Sequence, residues 1–352
     1  MATAQAVGGR LDIPVVDIAG FSSGDSTVRE RVARQVDRAA RTVGFMQISG
    51  HGIPELAADG LTEAMDGFFA LPFERKQALR PADVSVNRGY TGPRTESLSH
   101  SLGVESAADL FEAFNVGSTA GQYGKAVPDD VEDHYPANMW PDRPALFERN
   151  VQAWMEQAGG LARTLTEVFA VALGLPADYF KAYTDHSIDM LRMNRYSMPD
   201  GDVRLEPGQL GMGPHTDFGI VTVLWADDVL PGLQILDSEG GWHDVRPAPG
   251  ALLINLGDLL ARWTNDRWIS TMHRVLAPIG SDGTPILRRS AAYFHDGNAD
   301  AVVSCLPGCA DAGEMYYEPI SVAEHIAAKL AGSRGGTLNV AAAREASRLR
   351  QV

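Results

Sequence analysis

Pro214-His-Thr-Asp-Phe-Gly-Ile-Val-Thr-Val-Leu-Trp225 carries a polar His-x-Asp step straight into a run of β-branched and aromatic residues. Runs of that composition, bounded by Gly and Pro, are strand signals. Four more follow closely: Leu233-Gln-Ile-Leu236, Ala251-Leu-Leu-Ile254, His273-Arg-Val-Leu276 and Ser290-Ala-Ala-Tyr-Phe294. Short strands broken by Gly, Pro and Asp turns over about 189–303 predict a β-sandwich or jelly roll.

Upstream the pattern changes. Ile13-Pro-Val-Val-Asp17 reads as a strand, and Val28, Val32, Val36 and Ala39 recur at helical spacing over about 26–41. Gly44-Phe-Met-Gln-Ile48 reads as a second strand, followed by a helix over about 54–70 and a shorter one restarting at Leu71. Residues 82–142, rich in Gly, Pro, Ser and Asp, are expected to form loops with short strands near the active site. Phe147, Val151, Trp154, Ala158, Leu161, Leu165 and Phe169 mark a long helix over about 144–173, ended by Gly174-Leu-Pro176. Further helices are expected over about 322–330 and 340–349. The expected fold class is mainly β with flanking helices. Its segments are an N-terminal α/β portion (1–120), a connecting segment with the long support helix (121–188), a catalytic β core (189–303) and a helical tail (304–352).

The 352 residues are 45% hydrophobic and 21% charged, enough apolar material for one large core. A formal net charge of −15 without a basic run argues against nucleic acid as a partner. Cys305 and Cys309 would be a redox pair or half a metal site only with further ligands nearby, and they read as loop residues. The N-terminus lacks a charged start followed by an apolar stretch, and no apolar run approaches the ~20 residues that span a bilayer. The expected location is cytoplasmic, with no membrane partner. Nothing in the sequence sets an oligomeric state.

The chemistry lies in His215 and Asp217. At i and i+2 of an extended segment, their side chains share a face. A second imidazole must come from a distant strand, and His273 opens the apolar run to Leu276. Two neutral imidazoles and one carboxylate on one face suit iron(II) and leave three positions open. Taken alone, the same residues also fit an exposed turn and a packed histidine.

The chain resembles the isopenicillin N synthase-like branch of the iron(II)/2-oxoglutarate-dependent dioxygenases. Short matches run in order along nearly all of it. They include Gly44-Phe-Met-Gln-Ile-Ser-Gly-His-Gly-Ile53, Phe68-Phe-Ala-Leu-Pro72, Arg88-Gly-Tyr90, Asp109-Leu-Phe-Glu-Ala-Phe114 and Arg192-Met-Asn-Arg-Tyr196. Gly232-Leu-Gln234, Trp242-His-Asp-Val245, Asn255-Leu-Gly-Asp258, His273-Arg-Val275, Arg288-Arg-Ser290 and Tyr317-Glu-Pro-Ile-Ser-Val-Ala-Glu-His325 continue the series.

The resemblance implies a distorted double-stranded β-helix (jelly roll). It also implies that His215, Asp217 and His273 are iron(II) ligands and that Arg288 and Ser290 hold the distal carboxylate of 2-oxoglutarate. Tyr196 and Asn194 would lie beside that co-substrate, and Phe294 would wall the substrate. Read singly, Arg288 also fits a solvated strand edge, and Tyr196 and Phe294 fit core aromatics. The family position of His51 is a structural turn; His243 and His295 stay open as pocket residues.

The implied reaction is oxidation of a small organic metabolite by hydroxylation, desaturation or cyclisation, with 2-oxoglutarate and O2 converted to succinate and CO2. An iron oxidase that uses O2 without 2-oxoglutarate is the alternative, and a non-catalytic binding protein on the same fold is the second. The substrate pocket is expected to draw on residues 84–115, the segment after Tyr196 and the C-terminal helices. Ser197-Met-Pro-Asp-Gly201 departs from the proline-rich run common in plant members, so no plant substrate carries over.

Overall fold

The computed structural model describes the chain except residues 1–10, 84, 199–204, 207, 228–231, 281–282, 311–312, 340–341 and 350–352. Its strands are β1 (Val15–Asp17), β2 (Phe45–Ser49), β3 (Gly89–Thr91), β4 (Phe111–Gly117), β5 (Met190–Tyr196), β6 (Met212–His215), β7 (Val221–Ala226), β8 (Leu233–Leu236), β9 (Trp242–Asp244), β10 (Leu252–Leu256), β11 (His273–Val275), β12 (Arg288–His295) and a small outlying pair, β13 (Val302–Val303) with β14 (Ile320–Ser321). The helices are α1 (Ser26–Thr42), α2 (Glu55–Phe69), α3 (Phe73–Gln77), α4 (Ala120–Tyr123), α5 (Phe147–Ala172), α6 (Asp258–Trp263), α7 (Val322–Ser333) and α8 (Ala343–Ala346).

The larger sheet runs β1-β2-β10-β7-β12-β5-β4-β3, and the smaller runs β6-β11-β8-β9. All of these pairings are antiparallel except β1 with β2. The larger sheet takes strands from both sides of α5 in sequence, so the strands before and after that helix share one hydrogen-bonded surface.

Strand alternation gives the larger sheet two different faces. Met46, Ile48, Phe114, Leu191, Met193, Val223, Ile254 and Tyr293 pack among Val32 and Val36 of α1, Leu61, Met65 and Phe68 of α2, and Val151, Trp154 and Leu165 of α5. Each fully buried Leu or Phe there contributes about 1.5–3 kcal/mol. Phe45, Phe111, Tyr196 and Leu253 turn the other way and meet Met212, Leu233, Ile235 and Val275 of the smaller sheet. The functional site lies in this second layer. The mainly-β expectation with flanking helices therefore stands.

Local chemistry sets the helix ends. Asp25 accepts the N–H groups of Thr27 and Val28 to start α1, and Ser321 with Glu324 forms a capping box on α7. Gly159 of α5 is a point of close approach: a β-carbon there would stand 2.6 Å from the Tyr293 hydroxyl.

Two segments sharpen the expectation. Within 82–142, expected as loops with short strands, β4 is a seven-residue strand buried throughout. Its one carboxylate, Glu112, is buried and fully engaged by Lys76 Nζ (2.6 Å), the Tyr90 hydroxyl (2.8 Å) and Arg195 Nη1 (2.8 Å). The helix expected over 340–349 is reduced to α8 and a 3-10 turn at Ser347–Leu349, and residues 340 and 341 lie outside the described residues. Among the described residues, no helix is long and apolar enough to cross a membrane.

Candidate metal centre and active site

β6 and β11 are antiparallel neighbours, with His215 directly opposite His273, and their ring centroids are 4.2 Å apart. Asp217 follows two residues after the end of β6. Its Oδ1 lies 3.8 Å from His215 Nε2 and 3.6 Å from His273 Nε2. All three side chains are buried, and among the described residues they form the one His/Cys/Asp/Glu group with metal-ligand spacing.

The surrounding hydrogen bonds orient each donor atom. His215 Nδ1 lies 2.8 Å from the Gly213 carbonyl and His273 Nδ1 lies 3.1 Å from the Thr271 carbonyl. A carbonyl only accepts, so each Nδ1 carries the proton and each Nε2 presents a lone pair inward. Burial, with the second imidazole beside it, pushes the His215 pKa down to about 3, so this ring is neutral at physiological pH. Asp217 Oδ2 accepts from Thr222 Oγ1 at 2.5 Å and from Asn255 Nδ2 at 2.6 Å. Thr222 and Asn255 are themselves cross-strand partners on β7 and β10. Their grip on Oδ2 leaves Oδ1 free, and two neutral imidazoles with one carboxylate oxygen fit a divalent iron ion with open positions.

A cavity of about 100 Å³ extends from these atoms between the sheets. β12 and β5 supply its far wall in register: Arg288 is opposite Tyr196, and Ser290 is opposite Asn194. All four line the cavity, as does Phe294. Arg288 is buried, and its Nε and Nη1 atoms have no hydrogen-bond partner. Its guanidinium carbon stands 5.3 Å from the Tyr196 ring centroid. Burial lowers the Arg288 pKa from its ordinary value, but an arginine starts so high that it stays charged. A buried guanidinium with unpaired N–H groups fits a carboxylate ligand. Leu224, Leu233 and Val275 keep the surroundings apolar. Asn194 Nδ2 reaches the Ser290 hydroxyl at 3.5 Å, and its Oδ1 accepts from Arg192 Nε at 3.1 Å.

Several histidines lie elsewhere. His51 accepts the Ile53 N–H at Nδ1 and meets the Gly250 carbonyl at Nε2, as a turn residue. His243 pairs with Asp237, and His295 pairs with Asp189 at 2.8 Å; neither lines the cavity. Cys305 and Cys309 are free thiols outside any metal-spaced group among the described residues. Of the wall residues expected from 84–115 and the C-terminal helices, Asn87, Leu98, Ile326, Leu330 and Ser333 do line the cavity. The segment after Tyr196 falls partly outside the described residues. Sequence reasoning missed the roles of Thr222 and Asn255; the signal lay in Asn255-Leu-Gly-Asp258, a motif whose asparagine had no assigned task.

Residues 187–297 match the 2OG-Fe(II) oxygenase superfamily, and residues 13–143 match the family described as non-haem dioxygenase in morphine synthesis N-terminal. The 2-oxoglutarate-Fe(II) type oxidoreductase hxnY of Emericella nidulans is 34% identical over 89% of this chain and 88% of its own length. Validamycin A dioxygenase of Streptomyces hygroscopicus subsp. limoneus is 34% identical over 82% of this chain and 78% of its own. A full-length Neurospora crassa protein, crystallised in complex with alpha-KG and thymine, superposes with a TM-score of 0.78 at 28% identity, covering 93% of this chain and 98% of that one. The double-stranded β-helix core expected for this chain is the core of such structural neighbours. The chain therefore belongs to the 2-oxoglutarate–iron(II) oxygenase superfamily and is an oxidoreductase, a dioxygenase that uses iron(II) and 2-oxoglutarate.

Proposed function

We propose that His215 Nε2, Asp217 Oδ1 and His273 Nε2 bind the iron(II), and that Arg288 and Ser290 hold the distal carboxylate of 2-oxoglutarate. Tyr196 and Asn194 lie beside that co-substrate, and Phe294 walls the substrate. One observation carries the reading: two buried, unpartnered N–H atoms of Arg288 share a cavity with three converging metal-donor residues. The bound iron supplies the oxidation, with 2-oxoglutarate and O2 becoming succinate and CO2. The protein's own part is to neutralise and orient. Arg288 offsets the far carboxylate, Thr222 and Asn255 fix Asp217, and the apolar walls exclude water.

The substrate is a small organic metabolite, oxidised by hydroxylation, desaturation or cyclisation. Validamycin A, named for one relative, and thymine, bound by one structural neighbour, support that size class. Within the superfamily we place the chain in the isopenicillin N synthase-like branch, on its ordered N-terminal and catalytic motifs. Residues 189–303 would form the catalytic core, with 1–120, 121–188 and 304–352 as supporting segments. The acidic composition supports a cytoplasmic location without a nucleic-acid partner.

The test is an anaerobic visible spectrum of the protein with iron(II), before and after 2-oxoglutarate. A new charge-transfer band is expected, and it should vanish at limiting co-substrate in Arg288→Gln. Bound iron without a band would point to an oxidase independent of 2-oxoglutarate.

A further inference from the structure

The inner cavity adjoins a second cavity of about 450 Å³ bordered by residues 85–88, His134 and α7. The two share Asn87, Met190, Asp296, Ile326 and Leu330, which mark their junction. Asp296 follows directly on β12 and is only 6% exposed.

Nothing among the described residues pairs with the Asp296 carboxylate, by hydrogen bond or by ion pair. Arg88 is the buried cation whose charge reaches Asp296, without coming within ion-pair distance, while burial and the negative charges of Asp189 and Asp217 oppose ionisation of the Asp296 carboxyl and push its pKa up. Arg192 holds Glu96 at 2.7 Å and Asn194, while the Nη atoms of Arg88 donate to the carbonyls of Asn87 and Ser118. Space for the carboxylate depends on Gly219, where a β-carbon would overlap Asp296 Oδ1. An acid buried without a partner destabilises the empty protein, and a ligand that supplies the missing charge recovers that loss.

We propose that Asp296 determines substrate specificity by receiving a protonated nitrogen of the substrate, an amine, amidine or guanidine. The basic end then lies at the junction. The carbon skeleton runs inward past Met190 and Phe294 toward the metal ligands. This rests on the metal-site reading above.

The test uses matched amines and alcohols of one skeleton each: n-butylamine and n-butanol, benzylamine and benzyl alcohol, cyclohexylmethylamine and cyclohexylmethanol. Binding is measured by ligand-observed NMR to the full chain loaded with zinc(II) and 2-oxoglutarate. At least one amine is expected to bind wild type tenfold or more tighter than its alcohol. Asp296→Asn should abolish that preference, and Asp296→Glu should retain it. The anaerobic iron(II)–2-oxoglutarate band, recorded on the same variants, shows that each is folded. Absence of the band in wild type fails the metal-site reading. Its presence, with amines and alcohols binding alike or with no amine binding, overturns the role of Asp296 alone.

Discussion

Lys329 Nζ lies 2.7 Å from Asp258 Oδ2, an ion pair with both side chains almost fully buried. The same Oδ2 accepts from Thr216 Oγ1 at 2.9 Å, and the Asp258 N–H donates to the Asp217 carbonyl at 2.8 Å. The pair thus ties α7 to the loop that carries His215 and Asp217. Burial opposes the Asp258 charge, but Lys329 and His325 outweigh it and hold its pKa below the ordinary value.

Removing one partner leaves the other buried and unpaired. Lys329→Met is therefore expected to lose about 3–5 kcal/mol of unfolding free energy in a urea titration. The double variant with Asp258→Asn should lose less than the sum of the singles. Additive losses would mean that the two residues do not stabilise one another.

Arg288→Gln keeps the strand but removes the guanidinium. The 2-oxoglutarate concentration needed for half-maximal turnover is expected to rise about 100-fold or more, while iron(II) affinity stays within a few fold. An unchanged requirement would place the co-substrate carboxylate elsewhere.

Asn255→Ala releases one of the two donors on Asp217 Oδ2 and leaves all three proposed metal ligands in place. Iron(II) affinity, read by competition with a chelating dye, is expected to drop about 10–100-fold. Wild-type affinity would show that Thr222 suffices to fix the carboxylate.

Asp109 gives the pH prediction. Burial pushes its pKa up to about 7, against the pull of the N–H groups of Leu98 and Gly213 on its oxygens. A carboxyl whose folded pKa is raised contributes stability that is fully present below the unfolded pKa, about 4, and is lost as pH rises through the folded value. The stability difference between wild type and Asp109→Asn should shift by a few kcal/mol, on that order, against the wild type between pH 4 and 8. A difference flat across that range would mean that the carboxyl is ionised throughout.

Much of the site was legible because its residues sit in short local words. His215-Thr-Asp217 needs only strand alternation to converge, and Arg288-Arg-Ser290 presents its first and third residues to one face for the same reason. His273 was legible only through order along the chain, since the pairing that sets it opposite His215 is made by folding. The Thr222–Asn255 grip, the Lys329–Asp258 pair and the isolation of Asp296 depend on neighbours 33 to 71 positions apart or on a neighbour that is missing, and no periodicity encodes either. β4 falls in the stretch read as loops with short strands, but its place in the middle of the large sheet was not legible, because the partners that neutralise Glu112, namely Lys76, Tyr90 and Arg195, come from three other elements.

α7 presents Ile326, Leu330 and Ser333 to the cavity at i, i+4 and i+7, one stripe of the helix, while Lys329 anchors it from beside that stripe. Anchoring and lining are thereby written in different letters of the same twelve-residue element. A lineage can exchange the three lining residues and so try new molecules, with the proposed iron ligands, encoded more than 50 codons earlier, left unaltered. Novelty in what is oxidised is separated from conservation of how.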